Sequence, residues 1–135
     1  MFGKHSKPQS RIDSLIGAGT RVTGDLHFTG GLRVDGEICG SVIADPGKAS
    51  TLVLSEQARV NGEIRVTHLV LNGTVTGPVE ASEYLELQSK AKVTGDIKYK
   101  TLEIQLGAIV EGKLAHINET TEKVVSLKVS GAESK

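Results

Sequence analysis

The stretch Val60-Asn-Gly62-Glu-Ile64, read as aliphatic, any residue, glycine, any residue, aliphatic, recurs six times along this chain of 135 residues. The other copies are Val22-Thr-Gly24-Asp-Leu26, Ile38-Cys-Gly40-Ser-Val42, Val75-Thr-Gly77-Pro-Val79, Val93-Thr-Gly95-Asp-Ile97 and Val110-Glu-Gly112-Lys-Leu114. From glycine to glycine the steps are 16, 22, 15, 18 and 17 residues, and the long step holds the turn-rich insertion Asp45-Pro46-Gly47-Lys48-Ala49-Ser50. A period of this size is one coil of a β-solenoid.

A second phrase runs in phase with the first. The pairs Leu52/Leu54, Leu69/Leu71, Leu85/Leu87 and Leu102/Ile104 alternate an aliphatic residue with another, and their second members fall 17, 16 and 17 residues apart. Alternation at period two makes a strand with one face turned inward, so each coil contributes at least two short strands. Small residues suited to corners separate the phrases, as in Ser55-Glu-Gln-Ala58, Ser89-Lys-Ala91 and Gly107-Ala108. The predicted interior is Val22, Leu26, Val34, Ile38, Val60, Ile64, Leu71, Val75, Leu87, Val93, Ile97, Ile104, Val110 and Leu114. Glycine at the phrase centre suits a corner with positive φ, or a place where stacked backbones approach closely.

Composition supports a narrow aliphatic interior. The chain has no Trp, two Phe, two Tyr and one Met, too little bulk for a conventional two-layer core. Its 16 glycines come at intervals and punctuate strands. No long stretch has helical periodicity, so the fold class predicted is all-β, a single solenoid of about six coils with disordered termini. At about 4.8 Å per coil such a rod is some 30 Å long.

Sixteen basic and sixteen acidic residues give a formal net charge of zero. Arg21, Arg59 and Lys92 each stand four residues before Asp25, Glu63 and Asp96, which places opposite charges on the outer wall and avoids like-charge ladders between coils. No basic groove with interleaved aromatics is present, so no direct nucleic-acid partner is expected. Cys39 is the only cysteine. It falls in an outer column with Thr23, Asn61, Thr76, Thr94 and Glu111, and is read as a small column member because no helix start or adjacent histidine is there to activate a thiolate. The absence of an intramolecular disulfide, a signal peptide and a transmembrane run favours the cytoplasm.

Three parts are expected: a leader over residues 1–14, the solenoid over 15–117 and a polar tail over 118–135. The tail carries a short apolar alternation at Val125, Leu127 and Val129. In the leader, Met1 and Phe2 precede Lys4, Lys7 and Arg11, with no acidic residue before Asp13. A hydrophobic tip followed by a cationic patch suits an anionic lipid leaflet. Two inserted side chains contribute roughly 1.5 to 3 kcal/mol each when fully buried, and each nearby cation about 1 kcal/mol. One copy therefore binds marginally, whereas a polymer presenting many copies binds through effective concentration.

A solenoid also has two open ends, each with unpaired strand edges and a disc of aliphatic side chains, and no amphipathic capping helix is evident at either boundary. Identical chains are therefore expected to stack end to end, through Leu15, Ile16 and Val22 at one end and Ile109, Val110, Leu114 and Ile117 at the other.

The phrases Ile12-Asp-Ser-Leu-Ile-Gly-Ala-Gly-Thr20, Leu32-Arg-Val-Asp-Gly-Glu-Ile38 and Gly107-Ala-Ile-Val-Glu-Gly112 resemble the bactofilins over residues 12 to 117. The leader Met1-Phe2-Gly3-Lys4-His5-Ser6-Lys7 is similar to the short Met-Phe-containing, Lys-rich peptide with which many of them contact the inner membrane. The resemblance implies a right-handed parallel β-helix that polymerises without nucleotide or other cofactor into thin, non-polar filaments on the cytoplasmic face of that membrane. It also implies recruitment of envelope factors such as a cell-wall hydrolase or synthase, though nothing in the sequence selects a client. One departure stands out: many members carry a phenylalanine near the last coil, in the C-terminal contact, and Val110 stands at the matching place here.

The competing class is a left-handed β-helix acyltransferase, with His5, His27, His68 and His116 as the available bases. Its repeat places glycine directly after the aliphatic residue every six positions, unlike the spacing here, and the histidines lack a partner carboxylate at recognisable spacing. Secreted polysaccharide-acting solenoids are disfavoured by the short length and missing signal peptide. No phosphate-binding loop or paired-Cys metal site is present, so no catalytic, cofactor or metal residues are assigned.

Overall fold

In the computed structural model, which describes residues 11–117, the two sequence phrases become three short strands per coil. Coil one is β1 (Ser14–Ile16), β2 (Arg21–Thr23) and β3 (Leu26–Phe28). Coil two is β4 (Gly30–Val34), β5 (Glu37–Cys39) and β6 (Val42–Ala44). Coil three begins with β7 (Ser50–Leu54) and β8 (Arg59–Asn61). The longer β9 (Ile64–Leu71) closes it and runs past the corner to open coil four. After β10 (Thr74–Thr76), β11 (Val79–Leu87) does the same between coils four and five. Coil five finishes with β12 (Lys92–Thr94) and β13 (Ile97–Tyr99), and coil six is β14 (Leu102–Ile104), β15 (Ile109–Glu111) and β16 (Leu114–His116). All pairing is parallel, each strand on its counterpart one coil away. Among the described residues the protein is therefore an all-β parallel solenoid of six coils with three walls.

Register builds the interior as vertical columns. Ile16, Val34, Leu54, Leu71, Leu87 and Ile104 form one. Val22, Ile38, Val60, Val75, Val93 and Val110 form a second, and Leu26, Val42, Ile64, Val79, Ile97 and Leu114 a third. Middle-coil members are fully buried, each contributing roughly 1.5 to 3 kcal/mol relative to exposure. The end members differ from expectation. Ile104 and Leu114 are 49% and 43% exposed, and Val22 and Leu26 are half-buried, because among the described residues no coil lies beyond the first or the last.

The central glycines meet both expected conditions at once. At Gly77 φ is +143°, and a Cβ there would overlap the carbonyl oxygen of Gly62 one coil earlier. Gly40, Gly62, Gly95 and Gly112 repeat that relation, each above the preceding glycine. The glycine N–H groups at Gly24, Gly40, Gly62, Gly77 and Gly95 donate to the following coil at 2.9 Å.

Corners between the first and second walls come in two forms. Residues 17–20, 55–58, 88–91 and 105–108 make four-residue turns closed by bonds such as Ala58 N to Ser55 O, 3.0 Å. Coils two and four instead turn tightly at Asp35-Gly36 and Asn72-Gly73. The insertion is a loop over residues 45–49, while Ser50 belongs to β7 and is buried. Ser50 and Thr67 hold that corner by reciprocal bonds, Ser50 N to Thr67 Oγ1 at 2.7 Å and Thr67 N to Ser50 Oγ at 3.1 Å.

The wall charges pair differently from the four-residue spacing. Arg21, Glu37 and Arg59 form a vertical column of alternating sign, with Arg21 3.9 Å from Glu37, and Arg65 takes Glu63 at 2.7 Å. Asp25 and Asp96 accept backbone N–H groups of the next coil, from Ser41 at 2.9 Å and Lys113 at 3.1 Å. An aspartate beside a corner glycine is close enough to satisfy a donor directly.

Gly24 shares the positive φ of the column, +121°, but has nothing within 4 Å of its missing Cβ. Gly24→Ala is therefore expected to cost only the backbone strain, about 1 to 3 kcal/mol, whereas Gly77→Ala adds the clash with Gly62 and should cost clearly more. Chemical denaturation of both variants measures the difference, and equal losses would refute the close-stacking account.

Candidate functional site

The two ends of the solenoid are where this sequence leaves apolar surface uncovered. The large hydrophobic residues exposed among those described are Ile12 and Leu15 near one end and Ile104, Leu106, Ile109 and Leu114 in the last coil. Middle coils contribute none, so large exposed apolar residues are confined to the first and last coils.

At the N-terminal end the disc consists of Ile16, Val22, Leu26 and Phe28, all half-buried beneath coil two. Leu15 is 61% exposed, but it pairs with Arg33 in an outward column and so projects from the wall at the rim. Asp13 anchors this end. Its N–H donates to Gly31 O and its carboxylate accepts from Gly31 N, both at 2.9 Å, while Arg11 sits 3.0 Å from the same carboxylate. The Gly31 N–H, aided by the nearby Arg11 guanidinium, holds the Asp13 carboxyl below its usual range.

At the C-terminal end Leu102, Ile104, Val110 and Leu114 form the disc, bordered by His116 edge-on to Tyr99 at 5.6 Å. Ile109 pairs with Lys92 in the outward column that begins at Arg21, so like Leu15 it belongs to the rim. Ile117 is half-buried, its N–H donated to Tyr99 O at 2.6 Å. Of the expected end residues, Ile16, Val22, Val110 and Leu114 thus lie in the discs, Leu15 and Ile109 on the rims, and Ile117 just beyond β16. Met1, Phe2, Lys4 and Lys7 lie outside the described residues. Sequence reasoning passed over Leu106, which is 96% exposed in the last four-residue turn. The signal was available, because the equivalent turn positions are Ala18, Glu56 and Ser89.

The walls carry polar side chains in short hydrogen-bonded sets. Cys39 occupies the expected outer column, 3.8 Å from Arg21 Nη2 and 3.7 Å from Glu37 Oε2. His68 Nδ1 lies 2.9 Å from Thr67 Oγ1, with its ring tilted against Tyr84 at 6.5 Å. Burial, followed by its hydrogen bond to Glu103, holds the Tyr84 phenol above its usual value. Among the described residues no group of three or more His, Cys, Asp or Glu is arranged to hold a metal, and no helix is long and apolar enough to cross a membrane.

Residues 14–115 match the family model described as Bactofilin, polymer-forming cytoskeletal. The chain belongs to the bactofilin family. It is 30% identical over 94 residues to bactofilin BacP of Myxococcus xanthus, a match covering 70% of this chain and 36% of BacP. With BacO of the same organism it is 26% identical over 102 residues, covering 76% and 78%. The chain thus spans about a third of BacP and most of BacO. Among solved structures, it resembles the Thermus thermophilus bactofilin in double helical filaments, with a TM-score of 0.70 at 28% identity, covering 77% of this chain and 99% of that one. The crystal structure of a phenylalanine-to-arginine mutant of a Thermus thermophilus bactofilin matches with a TM-score of 0.62 at 29% identity, covering 68% and 98%. This bactofilin is accordingly a member of a family of cytoskeletal polymer proteins.

Because the folded-state pKa of Asp13 is depressed, its stabilising contribution is complete above the unfolded value and is lost as pH falls through the folded value. Acidification should therefore loosen the first coil before the middle ones. Hydrogen exchange at Gly31 should quicken on acidification relative to Leu69, after correction for intrinsic rates, and Asp13→Ala should produce the same local loss at neutral pH. Unchanged protection at Gly31 in that variant would show that the Asp13 anchor contributes nothing.

Proposed function

We propose that this bactofilin is the subunit of a membrane-attached filament, assembled end to end without nucleotide and used to position cell-envelope factors on the cytoplasmic face of the inner membrane. The observation that supports it best is the pair of ends: among the described residues each carries an aliphatic disc and a row of unpaired strand edges, and apposing two ends buries the discs while continuing the backbone ladders. Burial and edge pairing are available to the folded subunit as it stands, so nucleotide hydrolysis has no step to drive.

Joining like ends about two-fold axes gives a filament without polarity. Each joint is then self-complementary, and blocking one kind leaves the other intact. Val22→Arg should leave dimers joined through their C-terminal ends, and Leu114→Arg dimers joined through their N-terminal ends, because either arginine is buried unpaired at its own joint. The double variant should be monomeric. Sedimentation with electron microscopy distinguishes the cases: a head-to-tail polymer would turn each single variant into monomers, and wild-type protein that stays monomeric without nucleotide would sink the proposal.

The leader supplies the membrane part of this reading. Met1 and Phe2 insert while Lys4 and Lys7 meet anionic headgroups, and the polymer multiplies a marginal single-copy affinity. Deleting residues 1–7 should leave filaments intact but unable to float with vesicles containing anionic lipid, and high salt should weaken flotation of the full chain without abolishing it. Equal flotation of the shortened and full-length filaments would remove the leader from the mechanism.

A further inference from the structure

The first-wall edge of the C-terminal end, β14, is matched by a phrase in this chain's own tail. Coils two and four carry Leu32-Arg-Val34-Asp-Gly36 and Leu69-Val-Leu71-Asn-Gly73, in which the outer aliphatics face the interior and the glycine makes the tight corner. The tail repeats the pattern as Leu127-Lys-Val129-Ser-Gly131. In both tight coils the glycine lies against the four-residue turn of the coil before it. A Cβ on Gly36 would strike the carbonyls of Gly17 and Thr20, and one on Gly73 those of Ser55 and Ala58. Residues 105–108 of the last coil form the same kind of turn, with no described coil above it.

Backbone and charge fit the same placement. In coil four, Asn72 N donates to Leu54 O at 2.8 Å and Thr74 N to Ala58 O at 3.0 Å, and coil two makes the equivalent bonds to Ile16 and Thr20. Ile104 and Ala108 present the corresponding carbonyls on the last coil. On the wall, Glu86 and Glu103 are register partners, a like-charge pair bonded only by neutral donors among the described residues: Tyr84 to both Glu103 and Glu86, and Gln88 and Gln105 to Glu86. A strand with Leu127 over Leu102 and Val129 over Ile104 sets Lys128 next to Glu103, which relieves the repulsion. Nine residues, 118–126, separate Ile117 from Leu127. At up to about 3.3 Å per residue they reach well beyond the single corner to be turned, and the solenoid already accommodates an insertion at this corner between coils two and three.

We propose that residues 127–131 dock on β14 and the 105–108 turn of their own subunit as a partial seventh coil, and so compete with a neighbouring subunit for the C-terminal end. The inference rests on the proposed end-to-end assembly only for the competition; the docking stands by itself. In a Cys39→Ser background, the pair Glu103→Cys and Lys128→Cys should form a disulfide under mild oxidation. It should be intramolecular, read as a monomer with altered mobility on a non-reducing gel, while Glu103→Cys with Ser126→Cys should form little. Disulfide dimers in place of monomers, no disulfide, or equal yield from the two pairs would overturn the docking. The locked protein should lose the C-terminal joint and stop at dimers, and reduction should restore filaments. Without any cysteine change, Gly131→Leu and removal of residues 127–135 should each lower the protein concentration at which filaments appear. Filaments from the locked protein would overturn the competition, and with it the C-terminal joint, while leaving the docking in place.

Discussion

At Gly40, Gly62, Gly77, Gly95 and Gly112 the backbone passes so closely over the glycine of the preceding coil that a Cβ has no room. This contact fixes one corner of every coil directly above the last. With that corner pinned and the glycine N–H groups bonded upward, the remaining strands are brought into register, and a register slip of one residue would turn the aliphatic columns outward. The narrow interior follows, because three walls drawn around a fixed corner leave space for Val, Leu and Ile and little more. The scarcity of aromatic residues is thus a requirement of the cross-section as well as a feature of composition.

A stack of this kind has no intrinsic stop. Each coil satisfies the one before it and presents the same unmet demand to the next: backbone edges on three walls, aliphatic side chains in the middle and carbonyls at the corners. Internal coils meet that demand with their neighbours, which is why Leu71 and Val75 are fully buried while their counterparts Ile104 and Val110 in the last coil are not. Something outside the six coils has to complete the ends, and a second copy of the chain and the chain's own tail are both chemically suited to do so. Membership in a family of polymer-forming proteins agrees with the first. The walls, by contrast, are largely polar: Arg21, Glu37 and Arg59 alternate in sign and Asp25 and Asp96 accept backbone N–H groups, the like-charge pair Glu86 and Glu103 being the exception.

Much of this was legible in the sequence, for a specific physical reason. In a parallel solenoid the contacts of a residue are its counterparts one period away, so spacing alone identifies partners. The outer column running from Thr23 through Cys39 to Glu111 and the stacking of Leu52, Leu69, Leu85 and Leu102 followed directly. Features that break the period were harder to read. Arg59 stacks in a column with Glu37, not Glu63, and Asp25 and Asp96 serve backbone donors, because corner geometry overrides spacing along the chain. The aliphatic spacing set at least two strands per coil without separating a third, and it did not show that β9 and β11 run through corners.

The sequence by itself therefore determined the coil, its aliphatic columns, the glycine corner and the number of repeats, all of which are properties of a local phrase repeated in phase. It also marked the family, because ordered phrases over a hundred residues are specific. Only the tertiary structure decided which apolar residues at the ends belong to the discs and which to the rims. Ile109 and Leu114 look alike in sequence, yet register turns the first outward beside Lys92 and the second inward above Ile97. The direction of a side chain in a strand depends on its parity against the neighbouring coil, and near a corner that parity is set by the turn, which the aliphatic spacing does not encode.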